Sequence, residues 1–135
     1  MPPLPLLLLV MGGGALGTGA RYALSGIVAA SFGETFPWGT LIINVTGSFI
    51  IGFFFTLTAP DGRLMVSGGT RQFVMTGFCG GYTTFSSFSL QTLNLIRNGE
   101  WAAAGGNIFG SVALCMAGVW LGSITASMIN QMKGA

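Results

Sequence analysis

Residues 76–91 read TGFCGGYTTFSSFSLQ, and this stretch carries the strongest structural signal in the chain. It lies inside an uncharged run from Gln72 to Ile96, so it is polar without carrying charge. Adjacent glycines followed by hydroxyl residues form helices poorly, because glycine loses backbone entropy and hydroxyl groups compete for backbone hydrogen bonds. The stretch therefore predicts a helix broken near its middle, at Gly80 to Thr83, with backbone carbonyl groups set free. A continuous helix whose hydroxyls bond to their own preceding turns is the alternative.

Three more uncharged runs surround this segment: residues 1–20, Thr35 to Pro60, and Trp101 to Met132. Only 6% of the residues are charged and 51% are hydrophobic, whereas a soluble domain carries about 25% charged residues. Each run is long enough to cross the hydrocarbon core as a helix, which needs about 20 residues. The sequence therefore predicts an all-α membrane protein, one four-helix transmembrane domain over residues 1–135, with helices at about 4–30, 38–58, 70–96 and 101–131. A soluble bundle would need polar helix faces that these runs lack.

Several functions lack the residues that they require. The chain has no His, and its Asp and Glu residues all fall outside the uncharged runs. Acid–base catalysis, a metal cluster and a membrane proton relay are therefore disfavoured, so we expect no enzyme. The net charge of +2 is too small to indicate a nucleic-acid partner, and the partner implied is the lipid bilayer. A coupled small-molecule or drug exporter of the small four-helix type remains the alternative function.

The positive charges give almost no preference for one orientation in the membrane. On the side of the N-terminus lie Arg63, Arg71 and Lys133, and on the other side lie Arg21, near the end of helix one, and Arg97. Because Lys and Arg set topology, so small a bias permits insertion in both directions and a dimer of opposite-facing subunits. A single, weakly determined orientation is the alternative.

Glycines recur four residues apart, a spacing that lets membrane helices approach closely and associate. This pattern favours tight packing and an oligomer. The pairs are Gly13 and Gly17, Gly77 and Gly81, Gly106 and Gly110, and Gly118 and Gly122.

A polar track follows the predicted break. Thr84, Ser87 and Gln91 recur at helical spacing, and Phe85 and Phe88 flank them. Hydroxyl and amide donors suit an anion, and the edge of an aromatic ring is its positive part. The track therefore predicts a path for a small anion that accepts hydrogen bonds strongly. Three residues of neighbouring helices either extend this track or bond the helices to one another: Asn44, Asn107 and Ser111.

At these residues the chain resembles the small fluoride channel family, called Fluc or CrcB. The matching motifs are GARY at 19–22, PWGTL at 37–41 followed by Asn44 and Gly47, and TGFCGGYTTFSSFS at 76–89. The resemblance implies a passive, fluoride-selective ion channel of the inner (plasma) membrane that exports fluoride from the cytoplasm. It also implies an antiparallel dual-topology homodimer with two pores.

The resemblance further implies roles for individual residues. A structural sodium ion at the dimer interface would be held by the backbone carbonyls of Gly80 and Thr83. Arg21 matches an arginine near the aqueous vestibule, and Gln91 stands at the pore entrance, where the family often has glutamate. The fluoride path would comprise Asn44, Thr84, Phe85, Ser86, Ser87, Phe88, Asn107 and Ser111.

Overall fold

The structure, a computed structural model, describes residues 2–132 and is all-helical, as the sequence predicts. Lys133, which entered the charge count, lies outside the described residues. Three of the helices are long and apolar enough to cross a membrane: Leu4–Phe32, Trp38–Leu57 and Trp101–Gln131. In chain order the elements are α1 (Leu4–Phe32), α2 (Trp38–Leu57), α3 (Gly68–Gln72), a π-helical segment (Phe73–Cys79), α4 (Gly80–Tyr82), α5 (Phe85–Arg97) and α6 (Trp101–Gln131).

The third helical region is divided into two arms. Residues 68–82, which comprise α3, the π-helical segment and α4, follow one another without interruption and form the first arm. Helix α5 is the second arm and has 13 residues. Residues 68–97 therefore form an interrupted helix, and neither arm alone reaches the 18 residues of a candidate span.

The interruption lies at Thr83 and Thr84, slightly later than the predicted Gly80 to Thr83. Both threonines have extended backbones, with φ −85° and ψ 159° at Thr83 and φ −152° and ψ 114° at Thr84. Gly80, by contrast, stays helical at φ −64° and ψ −37°. Glycine permits a break but does not place it. Thr84 places it, because its hydroxyl caps α5 by accepting the Ser87 N–H at 3.1 Å.

Glycines on α1 and on the first arm bring the two backbones into direct contact. A Cβ at Gly13 would overlap the Phe73 carbonyl oxygen, and one at Gly17 would overlap that of Phe78. From the other side, a Cβ at Gly77 would lie 2.8 Å from the Val10 carbonyl oxygen. Two of the predicted small-residue pairs therefore pack against each other and fix the first arm on α1.

Helix α6 packs along α2 through a further glycine pair. Gly118 and Gly122 lie against the backbone of Val45 and Phe49, where a Cβ would meet main-chain atoms. Around Gly106 and Gly110 there is open space within the described chain. Large apolar side chains meanwhile face outward, such as Phe109 at 76% exposure. Small residues inside and large apolar residues outside are expected of a protein that is surrounded by lipid.

Candidate functional site

A cavity of about 370 Å³ opens where the break meets α2 and α6. Among residues 2–132, no charged side chain lines it. Much of the predicted path is brought together here, while Ser86, Ser87 and Asn107 do not line the cavity. The predicted residues in its wall are Asn44, Gly80, Thr83, Thr84, Phe85, Phe88 and Ser111.

The two phenylalanines after the break form one aromatic face of the cavity. The ring centroids of Phe85 and Phe88 are 5.4 Å apart, and the ring planes are tilted by 44°. Phe85 is 68% exposed in the single chain, so this side of the cavity is open. The rings therefore present edges and faces to the same space, as expected for residues three apart on a helix.

Asn44 holds the broken backbone with both ends of its side-chain amide. Its Oδ1 accepts the Thr84 N–H at 2.8 Å, and its Nδ2 donates to the Thr84 carbonyl oxygen at 3.1 Å. These bonds replace helix bonds that the extended backbone of Thr84 cannot make. Because an amide nitrogen carries two hydrogens, Asn44 has a second N–H for another acceptor. Asn44 can therefore stabilise the break and, at the same time, donate a hydrogen bond to a ligand in the cavity.

Arg21 bonds to the break and lies inside α1, so its predicted place near the end of helix one needs correction. Its Nε donates to the Gly81 carbonyl oxygen at 3.0 Å. A continuous helix would satisfy that carbonyl with the N–H of Phe85. Arg21 does not line the cavity beside the break, nor the second cavity described below, which Gln91 lines. The guanidinium therefore replaces a lost backbone donor.

The carbonyl oxygens of Gly80 and Thr83 receive no hydrogen bond from any residue in the range 2–132. The carbonyls on either side of Gly80 each accept a hydrogen bond. That of Cys79 accepts from the N–H of Thr83 at 3.0 Å, and that of Gly81 accepts from Arg21. Gly80 also has open space where a Cβ would stand. The two carbonyls predicted to hold a cation are thus available as ligands.

A buried chain of hydrogen bonds runs from the cavity wall to the second arm. Ser111 Oγ donates to Asn107 Oδ1 at 3.3 Å, and Asn107 Nδ2 donates to Thr92 Oγ1 at 3.0 Å. Thr92 Oγ1 in turn donates to the Phe88 carbonyl oxygen at 2.7 Å. Asn107, at 2% exposure, reaches the cavity only through Ser111. Thr92 was missed in the sequence, where its position four residues after Phe88 was the available signal.

Gln91 lines a second cavity of about 700 Å³ at the end of the molecule where α1 meets α2. The charged residues around it are Glu34, Arg97 and Glu100. Gln91 Oε1 is buried and has no hydrogen-bond partner among the described residues. This polar hollow next to the second arm fits the predicted pore entrance at Gln91.

The fold and the cavity define a small multi-pass membrane protein with an uncharged polar site beside a broken helix. Residues 8–123 match the family model described as "CrcB-like protein, Camphor Resistance (CrcB)". The chain belongs to the CrcB family.

Curated relatives resemble the chain over nearly its whole length. The fluoride-specific ion channel FluC of Opitutus terrae is 65% identical over 123 residues, covering 91% of this chain and 93% of the relative. The protein of the same name from Methylocella silvestris is 60% identical over 126 residues, covering 93% and 96%. That of Rhodospirillum rubrum is 58% identical over 126 residues, covering 92% and 96%.

Proposed function

We propose that the chain is a passive, fluoride-selective ion channel that exports fluoride from the cytoplasm. The observation that carries the proposal is the cavity beside the break, in which an amide, hydroxyl groups and two aromatic rings converge without a charged side chain. The relatives' name, fluoride-specific ion channel, supports the same conclusion. The chain is a multi-pass protein of the inner membrane.

Transport follows from the chemistry of the cavity wall. Fluoride gives up water for hydrogen bonds from the free N–H of Asn44 and from hydroxyl groups, and for the positive edges of Phe85 and Phe88. Since no full positive charge lines the cavity, the anion is bound weakly enough to leave. Hydrogen fluoride enters a cell as the neutral acid and ionises inside, so a passive exit for the anion lowers internal fluoride.

The working unit that we propose is an antiparallel dual-topology homodimer with two pores, in which the two arms together make the fourth transmembrane segment of each chain. In a single chain the carbonyls of Gly80 and Thr83 receive no hydrogen bond from residues 2–132, and the ring of Phe85 is exposed. Backbone carbonyls cannot face lipid without a partner. A second copy that covers the break removes this cost, and the balanced Lys and Arg count allows it to face the opposite way.

A structural sodium ion at that interface fits the two free carbonyls. Gly80 and Thr83 would hold the ion, which supplies positive charge to carbonyl oxygens brought together from the two chains. Neutral oxygen ligands suit a hard cation, and residues 2–132 contain no cluster of His, Cys, Asp or Glu for a transition metal. The arrangement makes sodium part of the fold rather than cargo.

A coupled small-molecule or drug exporter fits the molecule less well. Membership of the CrcB family supports a channel. The three acidic residues, Glu34, Asp61 and Glu100, all lie outside the helices. Among residues 2–132 no carboxylate lines the cavity beside the break, where one could couple transport to protons.

Fluoride efflux from liposomes tests the function. Purified protein is reconstituted with internal potassium fluoride, and efflux is started with a potassium ionophore in the absence of proton and sodium gradients. We expect rapid fluoride release that depends on the ionophore. Release that requires an imposed proton gradient would support the exporter, and no release from folded protein would overturn both.

A further inference from the structure

We propose that Thr92 is a positioning residue of the anion path. Thr92 lines neither cavity. We infer that it fixes the amide of Asn107 and thereby makes Ser111 a reversible hydrogen-bond donor to the anion. The inference rests on the proposed function and adds a residue that acts on the path from outside it.

The orientation of the Asn107 amide follows from the single hydrogen of the Thr92 hydroxyl. That hydrogen is used in the 2.7 Å bond to the Phe88 carbonyl oxygen. Thr92 Oγ1 therefore presents only lone pairs to Asn107, and only the Nδ2 end of the amide can bond to it, as observed at 3.0 Å. An amide turned by a half rotation would set two acceptors against each other in a buried site. With the bond from Thr92 to Phe88 in place, Oδ1 therefore faces Ser111, as observed.

This orientation gives the Ser111 hydrogen a weak resting partner. Its bond to Asn107 Oδ1 is 3.3 Å long, beyond the ordinary range of about 2.5–3.0 Å for bonds between oxygens. Ser111 is 7% exposed and lines the cavity. An anion that arrives there can accept the hydrogen bond of the Ser111 hydroxyl in place of Asn107 Oδ1. The bond to Asn107 forms again when the anion leaves.

The opposite amide orientation would make a different site. If Nδ2 faced Ser111, the hydroxyl oxygen would accept from it, and the hydroxyl hydrogen would be a permanent donor with no competing bond to the Asn107 side chain. Such a donor binds an anion more tightly and releases it more slowly, whereas conduction requires a site that the ion can leave. Thr92 therefore favours throughput over affinity.

Three variants of the full chain separate this role from simple packing. Thr92→Val keeps the side-chain shape and removes the hydroxyl, and Thr92→Ser restores a hydroxyl. Thr125→Val is the matched control, because the Thr125 hydroxyl makes the same kind of bond to its own helix, to the Leu121 carbonyl oxygen at 2.8 Å, at an exposed position. Fluoride efflux per folded protein is measured against fluoride concentration, and fluoride binding in detergent is measured by calorimetry.

For Thr92→Val we expect the half-saturating fluoride concentration to fall about threefold and the maximal flux to fall about tenfold, since one hydrogen bond sets the difference. Thr92→Ser and Thr125→Val should stay within about twofold of the unsubstituted protein on both quantities. A packing role would lower flux without lowering the half-saturating concentration. That result, or unchanged behaviour of Thr92→Val, would overturn the inference.

A fluoride-independent measurement separates this inference from the proposed function. The nitrogen-15 side-chain amide signals of Asn107 are identified by their loss in Asn107→Asp. If the unsubstituted protein passes no fluoride, the proposed function fails, but these signals still report the amide. We expect Thr92→Val to shift them and Thr92→Ser to restore them, and signals unmoved by Thr92→Val would overturn the inference.

Discussion

Asn44 should contribute more to stability than any other single polar side chain at the break, and Asn44→Ala tests this. The substitution removes two bonds, to the Thr84 N–H at 2.8 Å and to the Thr84 carbonyl oxygen at 3.1 Å. Each buried backbone group left without a partner costs about 1–3 kcal/mol. The site is only partly buried and opens on a cavity that admits water, so the lower part of that range applies to each group. The expected loss is about 2–4 kcal/mol per chain.

The assay is equilibrium unfolding in mixed micelles of a mild detergent and dodecyl sulfate, followed by tryptophan fluorescence. Ser48→Ala is the control one turn away, because the Ser48 hydroxyl bonds only to its own helix, at the Asn44 carbonyl oxygen at 2.7 Å. It should cost less than about 1 kcal/mol, since that carbonyl also has a helical partner. If Asn44→Ala costs no more than Ser48→Ala, the break does not depend on the amide, and the reasoning is refuted.

Phe85→Ile and Phe88→Ile should leave a folded protein, with a loss of stability of about 1–3 kcal/mol, yet cut fluoride efflux per folded protein by more than about tenfold, because isoleucine has no positive ring edge; near-normal flux in both would show that the rings only pack. Gln91→Glu should fold with normal yield, since Gln91 lines the larger polar cavity, and loss of folding in a chromatographic assay would show that the buried Oε1 tolerates no charge. Steady fluoride flux should be the same for either direction of a sodium gradient, and a fixed transport ratio of sodium to fluoride would contradict a structural ion. Reporter fusions at Ala135, outside the described residues, should be active on both sides of the membrane, whereas one-sided activity with an uncharged tag would exclude dual topology.

The helical class and the interrupted third helix could be predicted from local sequence. Long uncharged runs and a Gly-Gly-hydroxyl stretch carry that information without reference to any other part of the chain. The position of the break could not be predicted as well. It depends on Thr84 as a cap and on Asn44, which lies 40 residues earlier on another helix. The π-helical segment Phe73–Cys79 likewise gave no sequence signal that we could identify.

The members of the candidate site were easier to predict than their partners. Amide, hydroxyl and aromatic residues near the break were singled out by type and spacing, and most of them line one cavity. Hydrogen-bond partners across helices follow no spacing rule, so the bonds from Arg21 to Gly81 and from Asn107 to Thr92 became visible only in the structure. For Arg21 the resemblance implied a place near the aqueous vestibule, and the bond of its Nε to the Gly81 carbonyl oxygen had no signal in the sequence.

The residues that bond to the backbone at the break also bear on how the protein inserts into the membrane during synthesis. Residues 68–97 contain no continuous helix of the length that a span requires, and a bilayer cannot satisfy the backbone groups at the extended Thr83 and Thr84, so this region has little tendency to enter a bilayer by itself during synthesis. Arg21 and Asn44, which satisfy its exposed backbone groups, belong to the two helices that leave the ribosome before it. Once α1 and α2 are in the membrane, they can therefore bind the interrupted segment as it leaves the translocation machinery. We therefore expect residues 68–97 to insert into the membrane only after α1 and α2. In a nascent chain that lacks either helix, this segment should fail to insert.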